Sequence, residues 1–105
     1  MDQKSINKSI RNATKAGDIN LVKKLIGDDI ETLNTMTAFG TWLHVAAKKG
    51  HFQIVEYLVE KGIDISIKYT GENIKNMNAY EYAREFGQTE IAEYLKQKMN
   101  EKEET

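Results

Sequence analysis

An internal repeat is the feature that most restricts how this chain can fold. Gly17, Gly50 and Gly87 are 33 and 37 residues apart. The same offsets relate four further columns, which are Ile10, Leu43 and Tyr80; Ala13, Ala46 and Ala83; Val22, Val55 and Ala92; and Leu25, Leu58 and Leu95. Columns that keep one register indicate a unit present three times, and this period is typical of a turn followed by two helices.

The central unit, from Thr41 to Gly62, has the pattern of two short helices. Thr41 can cap the first helix, because its hydroxyl can accept a hydrogen bond from a free N–H of the first turn. Gly50 and Gly62 are suited to end the two helices, since glycine adopts the left-handed conformation at low cost. The apolar residues of the second helix recur at helical spacing, as Ile54, Val55, Leu58 and Val59.

The outer units repeat this pattern with variations. The first begins at Asp2 or Ser5, either of which can cap a helix, and one loose turn is predicted over residues 30–33. The third begins at Asn78, with Glu81 three residues on as in a capping box. From Lys96 the sequence is almost all polar, so the last helix is expected to fray into a solvated tail.

The connection between the second and third units differs from the rest of the chain. Ile65, Ile67 and Tyr69 alternate with polar residues, which is the two-residue period of a strand. Residues 70–73 have turn chemistry, and Ile74 follows them. The pattern predicts a β-hairpin over residues 64–76 that projects between two helix pairs.

Length and repeat spacing predict one domain. The chain has 105 residues, which is the size of a single domain. We expect this domain to cover residues 1–100, with repeats at about 4–34, 35–69 and 70–99, followed by a charged tail over 101–105. The four extra residues before the third unit fall in a connection, where insertions cost least.

Composition excludes several classes of function. The net charge of -1 removes the broad electrostatic basis for nonspecific nucleic-acid binding. The chain has no cysteine, so it has neither disulfides nor thiolate metal sites. The N-terminus lacks the apolar segment of a secretory signal, and no apolar run reaches membrane length. We therefore expect a cytoplasmic protein with no membrane segment.

The motifs of the central unit resemble the ankyrin repeat. Residues 41–47 are similar to that family's Thr-Pro-Leu-His-x-Ala-Ala, residues 50–55 to its Gly-His-Leu-Glu-Ile-Val, and residues 60–65 to its Lys-x-Gly-Ala-Asp-Val ending. Trp42 stands where the family usually has proline, and Gly40 is one place closer to Thr41 than usual. The match is weaker in the third unit and weakest in the first.

The resemblance implies an all-α solenoid of three helix pairs, with hairpins at one side and a concave face that binds partners. Ankyrin proteins are recognition scaffolds with no intrinsic catalytic apparatus. The resemblance therefore implies a protein that is not an enzyme and carries no cofactor.

The residues themselves also offer no catalytic or metal site. His44 and His51 are seven apart across a glycine turn, which is not the i, i+4 spacing of a helical zinc site. We expect His44 to bond to the Thr41 turn, and His51 to cap the following helix and bridge to a neighbouring backbone. No glycine-rich phosphate loop is present, and no serine or threonine is placed with a histidine and a carboxylate as a catalytic triad requires.

The candidate binding residues lie on the first helix of each pair and in the connections. Aromatic residues and methionines at such positions are typical of an interface core, and stacking would align the lysines as a basic strip. The predicted partner-binding residues are Lys15, Phe39, Trp42, Lys48, Lys49, Tyr69, Ile74, Met77, Glu85 and Phe86.

Each part of this assignment has a structural alternative. Trp42 and Phe39 would fill the space left by the missing proline, Phe86 would pack under the hairpin, and the lysines would form a solvated helix face. As a functional feature, the basic strip indicates an acidic protein partner. Nucleic-acid binding is the weaker interpretation of the strip, because the strip is short and the residues assigned to it include no arginine.

The sequence therefore predicts a protein-binding module. The first hypothesis is an immunity- or antitoxin-like protein that inhibits or regulates a single protein partner, with a toxin or an enzyme as candidate partners. The alternative is a non-inhibitory scaffold or a host-directed effector. A stack of three repeats is near the lower limit of stability, so the chain is expected to be a monomer or to self-associate weakly.

Overall fold

The computed structural model describes residues 2–71 and 73–103, with side chains as far as residue 101. Within these residues the chain forms seven α-helices and no strand. They are α1 (Gln3–Ala16), α2 (Ile19–Ile26), α3 (Ile30–Leu33), α4 (Trp42–Lys49), α5 (Phe52–Lys61), α6 (Ala79–Glu85) and α7 (Thr89–Glu103). The pairs α1–α2, α4–α5 and α6–α7 are the three predicted units, and α3 is the predicted turn after the first.

The predicted caps begin the helices. Asp2, rather than Ser5, caps α1, since its carboxylate accepts a hydrogen bond from the Ser5 N–H. Thr41 caps α4, and Asn78 forms a complete capping box with Glu81 at the start of α6. These bonds satisfy N–H groups that have no partner within their own helix.

Left-handed glycines end three of the helices. Gly17, Gly50 and Gly62 follow α1, α4 and α5, with φ of 79°, 79° and 99°. The space around two of them is also restricted. A Cβ on Gly17 would lie 2.8 Å from His51 Cε1, and one on Gly50 would lie 2.9 Å from Gln88 Oε1. The left-handed conformation therefore favours glycine there, and a Cβ at either position would displace the His51 ring or the Gln88 amide.

The last helix is longer than the sequence predicts. The prediction that the last helix frays from Lys96 is wrong, because α7 continues to Glu103. Met99 packs on the core, and Lys98 forms an ion pair with Glu101 at 3.3 Å, one turn along the helix. Residues 101–103 of the expected tail are thus helical, whereas residues 104 and 105 lie outside the described residues.

The predicted β-hairpin does not form as a pair of strands. Tyr69 and Met77 form an isolated antiparallel bridge, with hydrogen bonds of 2.8 and 3.0 Å in the two directions. Before it, the Asp64 carboxylate accepts hydrogen bonds from the N–H and hydroxyl of Ser66. Such a turn bends the chain where a strand needs extended backbone. The connection is therefore a loop closed by one bridge, and residue 72 lies outside the described residues.

One apolar core runs through all three helix pairs. The first helices pack in order, α1 against α4 and α4 against α6. The repeat columns supply the core, because most of their members are buried. Buried members include Ile10, Ala13, Val22, Leu43, Ala46, Val55, Leu58, Ala83, Ala92 and Leu95.

Successive pairs are also joined by contacts that repeat along the stack. The Nε2 atom of His51 lies 3.0 Å from the carbonyl oxygen of Lys15, and the side-chain amide of Gln88 donates to the carbonyl of Lys48 at 3.2 Å. His51 and Gln88 are equivalent positions of the repeat, as are Lys15 and Lys48. We call these two contacts the carbonyl links.

Candidate partner-binding face

A cavity of about 210 Å³ opens on the side of the stack formed by the first helices. It is lined by residues of α1, α4 and α6 and by two connections, namely Arg11, Lys15, Phe39, Val45, Lys48, Lys49, Tyr69 and Tyr82. Together with Phe86, which lies next to Lys48, these residues are called the cation–aromatic face below.

Every charged residue that lines the cavity within the described part of the chain is a cation. Arg11 and Lys15 come from α1, and Lys48 and Lys49 come from α4. None of these four forms an ion pair with a described carboxylate. The Nε atom of Arg11 is buried and has no hydrogen-bond acceptor among the described residues. The cavity therefore concentrates positive charge that the described part of the chain leaves uncompensated.

Two exposed aromatic rings flank the cavity. Phe39 is 54% exposed and Phe86 is 39% exposed. The Arg11 guanidinium lies 4.6 Å from the centre of the Phe39 ring, and the Lys48 ammonium lies 4.9 Å from that of Phe86. Both are cation–π distances, at which the ring helps to hold the cation in place.

An aromatic cluster supports the cavity from behind. The ring centres of Tyr69 and Tyr82 are 5.9 Å apart, and those of Tyr82 and Phe86 are 4.8 Å apart, in edge-to-face contacts. The Tyr69 hydroxyl donates to the carbonyl of Ala38 at 2.9 Å, which ties the two connections together. Burial raises the pKa of Tyr82, and the electrostatic effect of Tyr69 raises it further. Both effects favour the neutral form of the Tyr82 phenol.

His44 anchors this cluster in the way that the sequence predicts. Its Nδ1 atom lies 2.8 Å from the Thr41 hydroxyl and accepts the Thr41 N–H at 3.3 Å. Because a backbone N–H can only donate and a carbonyl can only accept, Nε2 carries the proton and donates to the carbonyl of Met77 at 2.9 Å. His44 is 1% exposed, and this burial lowers its pKa.

The prediction for His51 is confirmed in part. Its ring bridges to the Lys15 carbonyl of the preceding unit, as expected. It does not cap α5 with its side chain, because the ring is used for this bridge. Both histidines are thus engaged with the backbone, and no group of three or more possible metal ligands occurs in the described part of the chain.

The structure brings half of the predicted binding residues to the cavity itself. These are Lys15, Phe39, Lys48, Lys49 and Tyr69, and Phe86 joins them through its contact with Lys48. Glu85 is exposed on α6 but does not line the cavity, although it is the repeat equivalent of Lys15 and Lys48. Ile74 and Met77 are half-buried in the loop after α5.

The expected exposure of Trp42 is wrong. Its side chain is 0% exposed, and its indole N–H donates to the carbonyl of Thr32 at 2.8 Å. Trp42 fills the core at the position where ankyrin repeats usually have proline, which was the structural alternative. A partner cannot contact this residue while the chain is folded.

Three residues of the face do not figure in the binding set predicted from the sequence. They are Arg11, Val45 and Tyr82. Helical spacing carries a signal for two of them, because Arg11 lies four residues before Lys15 and Tyr82 four before Phe86. The basic strip was expected to contain no arginine, and Arg11 corrects that expectation.

Comparison with known proteins identifies the family. The model of the family described as ankyrin repeats (3 copies) matches residues 10–105. This chain belongs to the ankyrin-repeat family. Ankyrin repeat domain-containing protein 40 of Mus musculus and of Homo sapiens are each 38% identical to it over 72 residues. The matched segment is 67% of this chain but only 20% and 19% of those two proteins.

The match to the family model confirms the resemblance seen in the sequence. The ankyrin-repeat family is a family of non-catalytic protein-interaction modules. This chain spans about a fifth of the length of the curated relatives it matches. Between residues 2 and 103, residue 72 apart, no helix is long and apolar enough to cross a membrane.

Proposed function

We propose that this ankyrin-repeat protein binds a single protein partner through the cation–aromatic face and regulates that partner by occluding it. One observation carries the proposal, namely that Phe39 and Phe86 remain exposed beside a cavity lined by four cations without ion-pair partners among the described residues. Aromatic and arginine side chains are enriched where interfaces hold their binding energy.

Inhibition is the favoured form of regulation. The chain belongs to a family of binding modules, so occupying a surface of the partner is the simplest way for it to act. This would make it an immunity- or antitoxin-like protein that acts on a toxin or an enzyme. A non-inhibitory scaffold or a host-directed effector is the second candidate, and the effect on the partner's activity separates the two.

A cytoplasmic location and a monomeric state belong to the same proposal. The lack of cysteine is compatible with a reducing compartment. Weak self-association remains the alternative to a monomer, and sedimentation equilibrium of the pure chain distinguishes them.

Affinity capture with matched surface variants tests the face. The double variant Phe39→Ser, Phe86→Ser removes its two exposed rings. The control Leu21→Ser, Ile30→Ser removes apolar residues that are 39% and 59% exposed elsewhere. We expect the wild type and the control to retain the same partner from an extract of the native cell, and the Phe39, Phe86 variant to lose it.

Two results decide the proposal. If the Phe39, Phe86 variant retains the partner, or if the control loses it equally, the assigned face is wrong. Once the partner is identified, its activity is measured against increasing amounts of the wild-type chain. A fall in activity supports inhibition, and unchanged activity at saturation favours the scaffold.

A further inference from the structure

The charges of the cation–aromatic face indicate which kind of partner segment it accepts. We infer that the cavity binds a carboxylate side chain of an acidic segment of the partner, with a neighbouring apolar residue of that segment on Phe39 or Phe86. This inference rests on the proposed function, since it specifies the chemistry of the same face.

Charge complementarity is the first argument. The chain as a whole has a net charge of -1, yet Arg11, Lys15, Lys48 and Lys49 converge on one cavity. None of the described residues that line it carries a carboxylate, so positive charge is concentrated locally. Such a concentration attracts an anion and disfavours a basic segment, which gives specificity as well as faster association.

The size of the cavity is the second argument. A volume of about 210 Å³ is the space of roughly seven water molecules at ~30 Å³ each. One aspartate or glutamate side chain fits such a space. The exposed rings beside the opening offer apolar surface to the residues before and after it.

A change of sign along the stack is the third argument, and it favours a protein over a nucleic acid. The equivalent positions of the three repeats are Lys15, Lys48 and Glu85, and all three are exposed. A nucleic acid carries negative charge along its whole backbone and would meet Glu85 beyond the two lysines. A peptide can place its acidic residues against the first two repeats and a neutral or basic residue against the third.

Selection from random 12-residue peptides displayed on phage tests the inference and does not require the natural partner. We expect the selected peptides to be enriched in aspartate or glutamate next to an aromatic or aliphatic residue. Replacing the key glutamate of a selected peptide by glutamine should weaken its binding at least tenfold. Selection on Glu85→Lys should enrich peptides with a longer acidic run.

Lysine variants link the effect to the cavity. Lys15→Gln with Lys48→Gln should weaken binding of a selected peptide at least tenfold. Lys24→Gln with Lys96→Gln makes the same change of charge at exposed positions outside the face and should leave binding within twofold. Fluorescence anisotropy of the labelled peptide measures both variants.

Any of four results with the selected peptides would overturn the inference. They are no enrichment of acidic residues, equal binding of the glutamine peptide, undiminished binding to the Lys15→Gln, Lys48→Gln variant, and binding of a 12-residue oligothymidylate as tight as that of the selected peptide. Capture of the natural partner distinguishes failure of the carboxylate inference from failure of the proposed function. If it is lost with the Phe39, Phe86 variant but retained with Lys15→Gln, Lys48→Gln, the face is correct and only the carboxylate inference fails.

Discussion

His44 connects the central helix pair to the loop after it through a ring that must stay neutral. Its Nδ1 accepts the N–H of Thr41, and its Nε2–H donates to the carbonyl of Met77. A second proton, on Nδ1, would face the Thr41 N–H and remove that acceptor. Burial opposes the added charge as well, and this is why the pKa of His44 is lowered from its ordinary value of 6.5.

The folded chain should therefore lose stability as the pH falls below about 6.5, since the unfolded chain then binds a proton that folded His44 resists. Between pH 7.5 and pH 5.5 the loss from this residue is at most about 1.4 kcal/mol. Urea denaturation at both pH values measures it. His44→Gln should be less stable at pH 7.5 but should show a smaller further loss at pH 5.5. An unchanged loss in that variant would contradict the prediction.

Trp42 and Phe39 show why exposure is hard to predict at single residues. The sequence predicts both as partner-binding residues, and for both the structural alternative is that they fill the space left by the missing proline. Trp42 is buried because α3 places the Thr32 carbonyl within reach of its indole N–H, ten residues earlier in the chain. Phe39 remains exposed on its turn. The sequence alone does not give the position of α3 relative to α4, and this position decides between the alternatives.

The carbonyl links act between helix pairs rather than within them. His51 and Gln88 each lie just before the second helix of their own pair. Each reaches a carbonyl in the last turn of the first helix of the preceding pair. The last carbonyls of a helix have no partner within it. The links therefore satisfy these carbonyls and hold neighbouring pairs in register.

Removal of one link should destabilise the stack modestly. Gln88→Ala should lower the free energy of unfolding by about 0.5–1 kcal/mol, because it deletes the hydrogen bond to the Lys48 carbonyl. Gln53→Ala, at an exposed position on α5, is the matched control and should change stability less. Urea denaturation of the three proteins measures the difference, and an equal loss in the two variants would show that the link contributes nothing.

The sequence predicts helices better than connections. The cap residues and glycines that bound the helices act locally, so Thr41, Asn78 and Gly50 could be assigned from the sequence. The loop after α5 depends on more distant contacts. Ile65 alternates as in a strand, and it is buried, at 3% exposure, in the core shared by all three pairs. The alternation therefore reflects packing of this loop on the helices and not pairing with a second strand.

At the scale of the whole molecule, we propose that residues 1–100 unfold as one unit. The apolar core is continuous from the first pair to the third, and each pair contacts its neighbour through the first helices. Repeats that share such interfaces depend on their neighbours for stability. Trp42 fluorescence reports on the central pair, whereas far-ultraviolet circular dichroism reports on every helix.

The two signals should therefore give the same midpoint in urea. Far-ultraviolet circular dichroism that changes in a separate step before or after the Trp42 signal would show that one pair unfolds alone. Phe39→Ser, whose side chain lies outside the buried core, is a suitable control, since it should leave the midpoints coincident.

The spacing of the repeat was sufficient to predict the three-pair stack, but the cavity was only partly predictable. Lys15 and Lys48 could be aligned because they share a column. Arg11 and Tyr82 belong to different columns, and they meet at the cavity only because packing of the first helices brings separate repeats together. The columns show which residues are equivalent, but they do not show which columns meet at a cavity.

The carbonyl links also make the central repeat suitable for lengthening the protein. An inserted second copy of that repeat would present its own histidine, equivalent to His51, to the Lys48 carbonyl of the copy before it. Each inserted copy would also add one lysine to the row that begins at Lys15. A designed series of such proteins would extend the basic row in steps of one repeat, with the same histidine link at every junction before the last repeat.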